Sequence, residues 1–490
     1  MVDTSMSTHP FDDDHLNEEC AVFGIYGPSD DASAHTALGL HAMQHRGQEA
    51  SGMVSFDGSQ FNAHRDIGLV GDIFGSEHVM SRLTGYASIG HNRYSTSGGT
   101  IMRNVQPLFA DLEFGGFALA HNGNLTNANT LRRELVRRGS LFQSTSDTEV
   151  IIHLIATVRG ESIIERMAEA LREVEGAYSL VALTADGVIG VRDPLGVRPL
   201  VLGRNGESYL LASETCAFDI IGAEFVREVE PGEMVVLDGG EPRSLRIFPK
   251  QPQRFCVFEY IYFARPDSVL EGKSVYEARK NIGHELARES AVDADLVVPV
   301  PDSGVPAALG YAEESSLPFE FGIIRNHYVG RTFIEPGQEI RNLGVRLKHN
   351  ANSAKLKGKR VILVDDSIVR GTTSRKIVQM VRTAGALEVH MRIASPPIAH
   401  SCFYGVDTPE REQLMAYQMD VEEMAKHLDV DSLAFISMDG LYRAMDETQR
   451  NNQLPQFCDA CFTGDYPTEL TDRASTDSPQ LSLLTELQKT

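Results

Sequence analysis

The first half of the chain alternates short apolar runs with glycine turns. Residues 20–27, CAVFGIYG, predict a short strand that ends in a turn, and residues 176–203 predict strand, turn, strand, turn. Apolar positions at helical spacing predict three helices, at 127–138, 146–158 and 162–174. Hairpin-rich sheets with a few helices indicate an α+β sandwich of layers, which we assign to residues 20–240.

The pattern changes after residues 241–254, a proline-rich stretch that predicts a linker. Helical and strand patterns then alternate: SVYEARKNIGHELARES is followed by ADLVVPVPDSG, and GKRVILVDD by SRKIVQMVRTAG. This alternation is typical of a parallel α/β sheet, which we assign to residues 255–464. Residues 465–490 predict a loose polar tail.

Composition narrows the class of protein. The 490 residues suggest two to four domains of roughly 150 residues each. No apolar run reaches the roughly 18 residues that a membrane span needs, and a net charge of −23 argues against a general nucleic-acid binder. Residues 1–19 contain no Lys or Arg, unlike a signal or transit peptide, so we expect a cytoplasmic protein.

The segment VILVDDSIVRGTTS (361–374) predicts a buried strand that ends in two carboxylates. Ligands of open parallel sheets bind beyond the carboxyl ends of the strands, and the following helix N-terminus, expected near Ser374, favours an anion. Asp365 and Asp366 offer oxygens to sugar hydroxyls or Mg²⁺, so a phosphorylated ribose fits this loop. On the residues alone, an alternative stays open, in which Asp366 is a helix cap and the Thr and Ser residues are turn formers.

The same segment resembles the phosphoribosyl pyrophosphate (PRPP) signature of type I phosphoribosyltransferases. The resemblance implies an α/β phosphoribosyltransferase fold for residues 255–464. It also implies a PRPP site formed by Asp365, Asp366, Arg370, Gly371, Thr372, Thr373 and Ser374. Mg²⁺ would be held by Asp365, Asp366 and Ser303, which lies in VVPVPDSGVPAA. Residues 325–348, rich in Gly and Arg, would be a lid over the pyrophosphate or, alternatively, a plain surface loop.

Cys20 follows the acidic leader directly, and an internal strand cysteine is usually a small buried hydrophobe. Four further motifs change this interpretation: HAMQHRGQEASG, HNRYSTSG, AHNGNL and SDTEV. Together they resemble the class II glutamine amidotransferase domain, an N-terminal-nucleophile fold. The resemblance implies Cys20 as nucleophile, Asn122 and Gly123 as oxyanion hole, Arg93 for the glutamine α-carboxylate and Asp147 for its α-amino group.

Nineteen residues precede Cys20, so residues 1–19 would have to be a propeptide. Once Cys20 is the first residue, its α-amino group, with an unperturbed pKa of about 7.7–8.0, suits a general base at neutral pH. Some members of the glutamine PRPP amidotransferase family carry such a propeptide.

Four other cysteines, Cys256, Cys402, Cys458 and Cys461, form a candidate metal site that includes a C-x-x-C pair. Four thiolates suit zinc and a [4Fe–4S] cluster equally, and the spacing leaves both open. Propeptide-containing members of the family typically carry a [4Fe–4S] cluster at these positions, so the resemblance implies iron–sulfur. Cys216 fits no motif and is expected to be buried.

The combined resemblance implies one reaction: glutamine, PRPP and water give 5-phosphoribosylamine, glutamate and pyrophosphate, the first committed step of de novo purine biosynthesis. It also implies feedback inhibition by purine nucleotides and a homotetramer. Two alternatives remain, a sugar-phosphate amidotransferase, which would share the first half only, and a non-catalytic PRPP sensor, which would share the second.

Overall fold

The computed structural model describes residues 20–29, 31–94, 101–326 and 349–474. The predicted propeptide, nearly all of the predicted lid and residues 475–490 of the predicted tail lie outside the described residues.

The described part of the first half is built from thirteen strands in two antiparallel sheets. The strands are β1 (Ala21–Tyr26), β2 (Ala50–Phe56), β3 (Phe61–Ile67), β4 (Ala87–Arg93), β5 (Leu108–Leu112), β6 (Gly115–Leu125), β7 (Gly176–Leu183), β8 (Val188–Arg192), β9 (Val201–Asn205), β10 (Ser208–Ala212), β11 (Glu224–Glu228), β12 (Glu233–Leu237) and β13 (Arg243–Arg246). The sheet orders are β11-β9-β10-β1-β4-β2-β3 and β13-β12-β8-β7-β6-β5.

The two sheets pack face to face through alternating apolar side chains, among them Val22 and Ile89 of one sheet and Val181 and Val235 of the other. The approach is close at Gly24, where a Cβ would lie 2.5 Å from Val181 Cγ1. Helices cover both outer faces. They are α1 (Ala32–Ala42), α2 (Val70–Phe74), α3 (Glu77–Met80), α4 (Ala128–Arg137), α5 (Thr148–Thr157), α6 (Ile163–Ala170) and α7 (Cys216–Ile221), with 3₁₀ turns at Gln44–Arg46, Met102–Asn104 and Leu171–Glu173.

The second half is built on a four-stranded parallel sheet of order β17-β20-β21-β22. The described strands of the second half are β14 (Phe255–Cys256), β15 (Val269–Leu270), β16 (Lys273–Ser274), β17 (Leu296–Pro299), β18 (Ile323–Arg325), β19 (His349–Ala351), β20 (Arg360–Asp365), β21 (Glu388–Ile393), β22 (Ser432–Phe435) and β23 (Phe457–Cys458). Its helices are α8 (Val275–Glu289), α9 (Val305–Ser315), α10 (Ser353–Leu356), α11 (Thr372–Thr383), α12 (Met415–Gln418), α13 (Val421–Leu428), α14 (Met438–Ala444), α15 (Ala460–Thr463) and α16 (Thr471–Ala474), with a π-helix at Glu259–Phe263 and a 3₁₀ turn at Arg411–Gln413.

The two halves share one apolar core. Phe23 and Leu40 of the first half belong to the same buried cluster as Phe258, Val297 and Tyr442 of the second. Burial of this shared surface holds the domains together. Among the described helices, none is both long and apolar enough to cross a membrane.

Two stretches differ from the sequence-based expectation. The predicted linker contains β13, which pairs with β12 at the edge of the second sheet. The start of the predicted loose tail is packed: the Tyr466 hydroxyl donates to the Ser401 carbonyl at 2.7 Å, and the Asp472 N–H donates to the Thr126 carbonyl at 3.0 Å. Prolines and polar residues hid these contacts, because pairing at a sheet edge and polar anchoring leave no apolar periodicity.

Candidate active sites

Cys20 lies at the start of β1, with 8% of its surface exposed, and its thiol lies 3.6 Å from the Tyr94 carbonyl oxygen. In the antiparallel ladder Ala21 pairs with Asn92 of β4. Cys20 therefore faces Arg93, which is also buried. The register of β1 and β4 brings the predicted nucleophile and a predicted glutamine-binding residue to one sheet end.

Asn122 and Gly123 lie on β6 of the opposing sheet. Gly123 has φ +139°, and a Cβ there would be 2.1 Å from the Ala177 carbonyl oxygen, so only glycine fits. The Asn122 carboxamide is fully buried; it donates a long hydrogen bond of 3.5 Å to Ser213 Oγ, and its oxygen has no hydrogen-bond partner among the described residues. Its NH2 group carries two N–H donors and makes only this one long hydrogen bond among the described residues, so it keeps a donor for a ligand oxygen.

Ser213 connects this amide to the start of β1. Its hydroxyl oxygen accepts the Val22 N–H at 3.0 Å and also receives the Asn122 amide. Ser213 therefore links Asn122 of one sheet to Val22 of the other, two residues after Cys20.

Asp147 lies directly before α5, beside the end of β6. Its carboxylate accepts the Leu125 N–H at 3.0 Å and lies 3.7 Å from His121 Nδ1. Burial opposes ionisation of Asp147, but His121 and the backbone N–H groups outweigh it and lower its pKa. A charged Asp147 beside the oxyanion segment is suited to bind an ammonium group.

A second buried group lies behind the nucleophile and was not assigned from the sequence. Arg46, in the quoted motif HAMQHRGQEASG, donates to the Cys20 carbonyl at 3.4 Å and lies between the carboxylates of Glu214 and Glu259. Burial opposes ionisation of both carboxylates. His45 and Arg46 beside Glu214, and Arg46 and Arg198 beside Glu259, outweigh it and lower both pKa values. The motif could have drawn attention to Arg46, but the sequence did not indicate that this side chain is buried.

The second site lies at the carboxyl ends of β17 and β20. Asp365 and Asp366 are buried, and the Ser303 hydroxyl donates to the Asp366 carboxylate. Ser367 Oγ donates to the same carboxylate at 2.6 Å. Parallel pairing of Pro299 with Val364 brings these loops together. Helix α11 begins only at Thr372, with Gly371 at its N-cap position, so Asp366 is not its cap.

The loop that follows is shaped for close backbone approach. Gly371 has φ +79°, and a Cβ there would be 2.6 Å from Met415 Sδ. Thr373 and Ser374 are buried in the first turn of α11, and Thr372 begins the helix, two residues before the expected start. Arg370 is exposed and reaches Gln413 Oε1 at 3.2 Å. All seven predicted PRPP-binding residues therefore belong to one strand–loop–helix unit.

The four candidate metal-binding cysteines line one small cavity. Cys256 and Cys458 are paired residues of the parallel strands β14 and β23, and the Tyr404 N–H donates to Cys402 Sγ at 3.3 Å. Burial and the neighbouring Cys402 raise the pKa of Cys458 to about 12; burial and the other three thiols raise that of Cys461. In the described part of the chain, no group of three or more His, Cys, Asp and Glu is arranged to hold a metal ion.

Cys216 is buried at the start of α7, where its thiol lies 3.8 Å from the Glu214 carboxylate. Burial raises the pKa of its thiol, so it stays a neutral thiol.

This fold and these sites define a glutamine amidotransferase joined to a phosphoribosyltransferase. Residues 91–219 match the family model of the glutamine amidotransferase domain, and residues 272–395 match that of the phosphoribosyl transferase domain. The chain is 60% identical over 470 residues to the amidophosphoribosyltransferase of Rhizobium etli, covering 95% of each chain. The chain belongs to the amidophosphoribosyltransferase family.

Other relatives agree. The Bacillus subtilis amidophosphoribosyltransferase is 49% identical over 456 residues, which cover 93% of this chain and 95% of the relative. The solved structure of the B. subtilis glutamine phosphoribosylpyrophosphate amidotransferase complexed with ADP and GMP covers 92% of this chain and 98% of its own, with 48% identity and a TM-score of 0.87. The predicted fold class is confirmed, and so is the prediction of a glutamine-dependent phosphoribosyltransferase in purine biosynthesis.

Proposed function

We propose that Cys20 is the nucleophile of glutamine hydrolysis and that Asn122 and Gly123 form its oxyanion hole. The main support is the buried Asn122 amide, whose NH2 group makes one long hydrogen bond, at 3.5 Å to Ser213, and so keeps a donor for the oxyanion. The thiolate attacks the glutamine δ-carbonyl carbon, and the oxyanion accepts hydrogen bonds from the Asn122 side chain and the Gly123 N–H. Collapse of this intermediate expels ammonia and leaves a thioester, which water hydrolyses to glutamate.

Arg93 and Asp147 would hold the amino-acid end of glutamine. Arg93 faces the nucleophile across β1 and β4, and Asp147 carries a lowered pKa beside the oxyanion segment. A cation for the α-carboxylate and an anion for the α-ammonium fix the side-chain amide before attack.

The second site would bind PRPP and release pyrophosphate. Asp365 and Asp366 would receive the ribose hydroxyls and hold Mg²⁺ together with Ser303, since Mg²⁺ prefers oxygen ligands. The loop from Arg370 to Ser374 would bind the 5-phosphate at the N-terminus of α11. Ammonia from the first site would attack ribose C1, form the C–N bond and displace pyrophosphate, giving 5-phosphoribosylamine. Mg²⁺ would stabilise the charge of the leaving group.

A cleavage before Cys20 would complete the first site. Residues 1–19 as a propeptide would leave Cys20 with a free α-amino group, the base that accepts the thiol proton and protonates the departing ammonia.

The four cysteines around the shared cavity would hold a [4Fe–4S] cluster. Their convergence on one cavity and the amide-to-sulfur hydrogen bond at Cys402 support this proposal. Such a cluster would link β14, the 402–406 loop and the segment of Cys458 and Cys461. Its role would be structural, because none of the four cysteines is among the proposed catalytic residues.

Metal analysis distinguishes the two candidate groups. We expect brown protein with about four iron and four sulfide per chain. Replacing Cys458 with Ser should remove the iron and lower the thermal midpoint. Colourless, active protein with one zinc and no iron would overturn the cluster.

We further propose a cytoplasmic homotetramer that is inhibited by purine nucleotides. The B. subtilis structure complexed with ADP and GMP supports nucleotide binding in this family. Nucleotide titration of the purified enzyme and light scattering test the two parts.

The Cys20→Ala variant tests the central assignment. It should lose pyrophosphate release with glutamine but keep release with ammonium, because the second site does not use the thiol. Cys216→Ala, which removes another buried thiol of the same domain, should keep both activities. Glutamine-dependent activity in Cys20→Ala would overturn the nucleophile.

A further inference from the structure

A loop of the second domain lies against the oxyanion segment of the first. The loop is residues 402–406, which lie between β21 and β22 of the second domain, and the segment is residues 122–125 of β6. A Cβ placed on Gly405 would lie 3.0 Å from Gly123 Cα and 3.1 Å from its carbonyl carbon. The backbones of the two domains are therefore in direct contact at this point.

A hydrogen bond fixes the register of this contact. The Asn124 side-chain amide donates to the Phe403 carbonyl at 3.0 Å. Asn124 is the next residue after Gly123, so the loop contacts the segment at two consecutive positions.

Gly123 is also packed tightly within its own sheet, where a Cβ would meet the Ala177 carbonyl oxygen of β7 at 2.1 Å. A Cβ on Gly405, at 3.0 Å from Gly123 Cα, would require the contacting backbone to shift by a few tenths of an ångström. Because the atoms in contact are backbone, this shift falls on the oxyanion segment or on the 402–406 loop.

The loop itself is anchored at several points. Arg198 Nε donates to the Tyr404 carbonyl at 2.8 Å, and the Cys402 N–H donates to Thr408 Oγ1 at 2.8 Å. Tyr404 is almost fully buried. The loop is thus a firm support rather than a mobile flap.

We propose that Gly405 and Phe403 are positioning residues of the glutaminase reaction, through which the second domain sets the position of the oxyanion-hole donors. This inference rests on the proposed roles of Asn122 and Gly123. It makes full glutaminase activity a property of the docked domains rather than of the first domain alone.

The Gly405→Ala variant of the full-length, mature enzyme tests the proposal, with Gly139→Ala as the control. The two glycines have similar positive φ, +113° and +100°, but a Cβ built on Gly139 meets nothing within 4 Å. The control therefore places an alanine at a comparable φ without the contact.

The decisive measurement is the affinity for an aldehyde analogue of glutamine. The Cys20 sulfur bonds to the aldehyde carbon and the thiol proton passes to the new hydroxyl, giving a tetrahedral adduct whose oxygen occupies the oxyanion hole. Removal of one oxyanion donor costs about 10²–10³-fold in kcat, so a displaced donor should cost about 10-fold. We expect Gly405→Ala to lower kcat with glutamine and aldehyde affinity about 10-fold, with KM for glutamine and ammonium-dependent activity unchanged.

A second variant covers the case in which Gly405→Ala does not fold. Asn124→Ala removes the hydrogen bond to Phe403. It should also lower the affinity for the aldehyde more than the affinity for glutamine. Metal content and thermal midpoint are compared for every variant. If a folded Gly405→Ala, or Asn124→Ala in its place, binds the aldehyde as the unmodified enzyme does, the proposal is wrong.

The Asn122→Ala variant separates this failure from failure of the oxyanion assignment. Unchanged aldehyde affinity in Asn122→Ala would overturn the assignment of the oxyanion hole itself. A loss in Asn122→Ala without any loss in Gly405→Ala and Asn124→Ala would overturn only the positioning role.

Discussion

Arg46 of the first domain and Glu259 of the second form a bidentate ion pair that is closed off from solvent. Arg46 Nη1 lies 2.9 Å from Glu259 Oε2, and Nη2 lies 2.7 Å from Oε1, with neither side chain exposed. The same guanidinium reaches the Cys20 carbonyl. Arg46 therefore connects a carboxylate of the phosphoribosyltransferase domain to the backbone of the proposed glutaminase nucleophile.

Replacing Glu259 with Gln should destabilise the protein strongly. Removing one partner of a buried ion pair leaves an uncompensated charge, at a cost of about 3–5 kcal/mol. Denaturant unfolding measures the loss. Glu314→Gln is the control, because Glu314 pairs with Arg288 at 2.9 Å in a partly exposed position, where about 1 kcal/mol or less is expected. Equal losses in the two variants would contradict the proposed importance of the buried pair.

Replacing Asp366 with Asn should impair synthesis with either nitrogen source. The variant keeps the size of the side chain but loses the charge that would bind Mg²⁺ beside Ser303. We expect a loss of about 100-fold or more in pyrophosphate release with glutamine and with ammonium. Asp420→Asn is the control, since Asn also caps helices well and Asp420 caps the exposed start of α13. Normal PRPP use by Asp366→Asn would show that this carboxylate is structural.

The sequence predicted that the residues assigned to the second site lie together, because they are local in the chain. The end of β20, the loop after it and the start of α11 carry seven of them, and parallel pairing of neighbouring strands adds Ser303. Periodicity also indicated α4, α5 and α6 within a few residues of their observed bounds.

Contacts between polar residues far apart in the chain could not be predicted in this way. Arg46 and Glu259 are separated by 213 positions, and neither has a sequence pattern that announces burial. Composition was misleading for the start of the tail, where Tyr466 and Asp472 form specific hydrogen bonds. Such contacts depend on the packing of finished domains.

The Glu228→Gln variant should be more stable than the unmodified protein above neutral pH. Burial and the nearby Glu271 carboxylate raise the pKa of Glu228 to about 7. The unfolded chain loses this proton near its usual value and the folded chain near 7, so the folded protein loses stability as the pH rises between the two. Glutamine still accepts the Glu271 N–H, which lies 2.9 Å from Glu228 Oε1, without carrying charge.

Urea unfolding at pH 5 and pH 8 checks this effect. We expect Glu228→Gln to gain about 1–2 kcal/mol at pH 8 relative to pH 5, less than the full shift implies because the side chain is partly exposed. Glu230→Gln, two residues away and exposed, serves as the control. A variant no more stable than the unmodified protein at pH 8 would contradict the prediction.

Asp472, in the C-terminal segment, caps helix α4 of the first domain. Helix α4 has no side-chain cap of its own at Asn127. The Asp472 carboxylate accepts the N–H groups of Asn129 and Thr130 at 2.7 and 2.9 Å and the Thr130 hydroxyl at 2.8 Å. Because a cap is worth about 0.5–2 kcal/mol, Asp472→Ala should lower stability by that amount and release the C-terminal segment.

Hydrogen exchange at the Asn129 and Thr130 amides measures the cap directly, and limited proteolysis measures the release of the segment. Both amides should exchange faster in Asp472→Ala, because they lose their acceptor, and the chain after Tyr466 should be cut sooner. Glu469→Ala, an exposed acid of the same segment, removes a charge without removing a cap and should change neither. The same protection in both variants would mean that helix α4 does not depend on Asp472. Loss of protection in Asp472→Ala alone would show that the Asp472 carboxylate holds the C-terminal segment to α4 and so links the two domains.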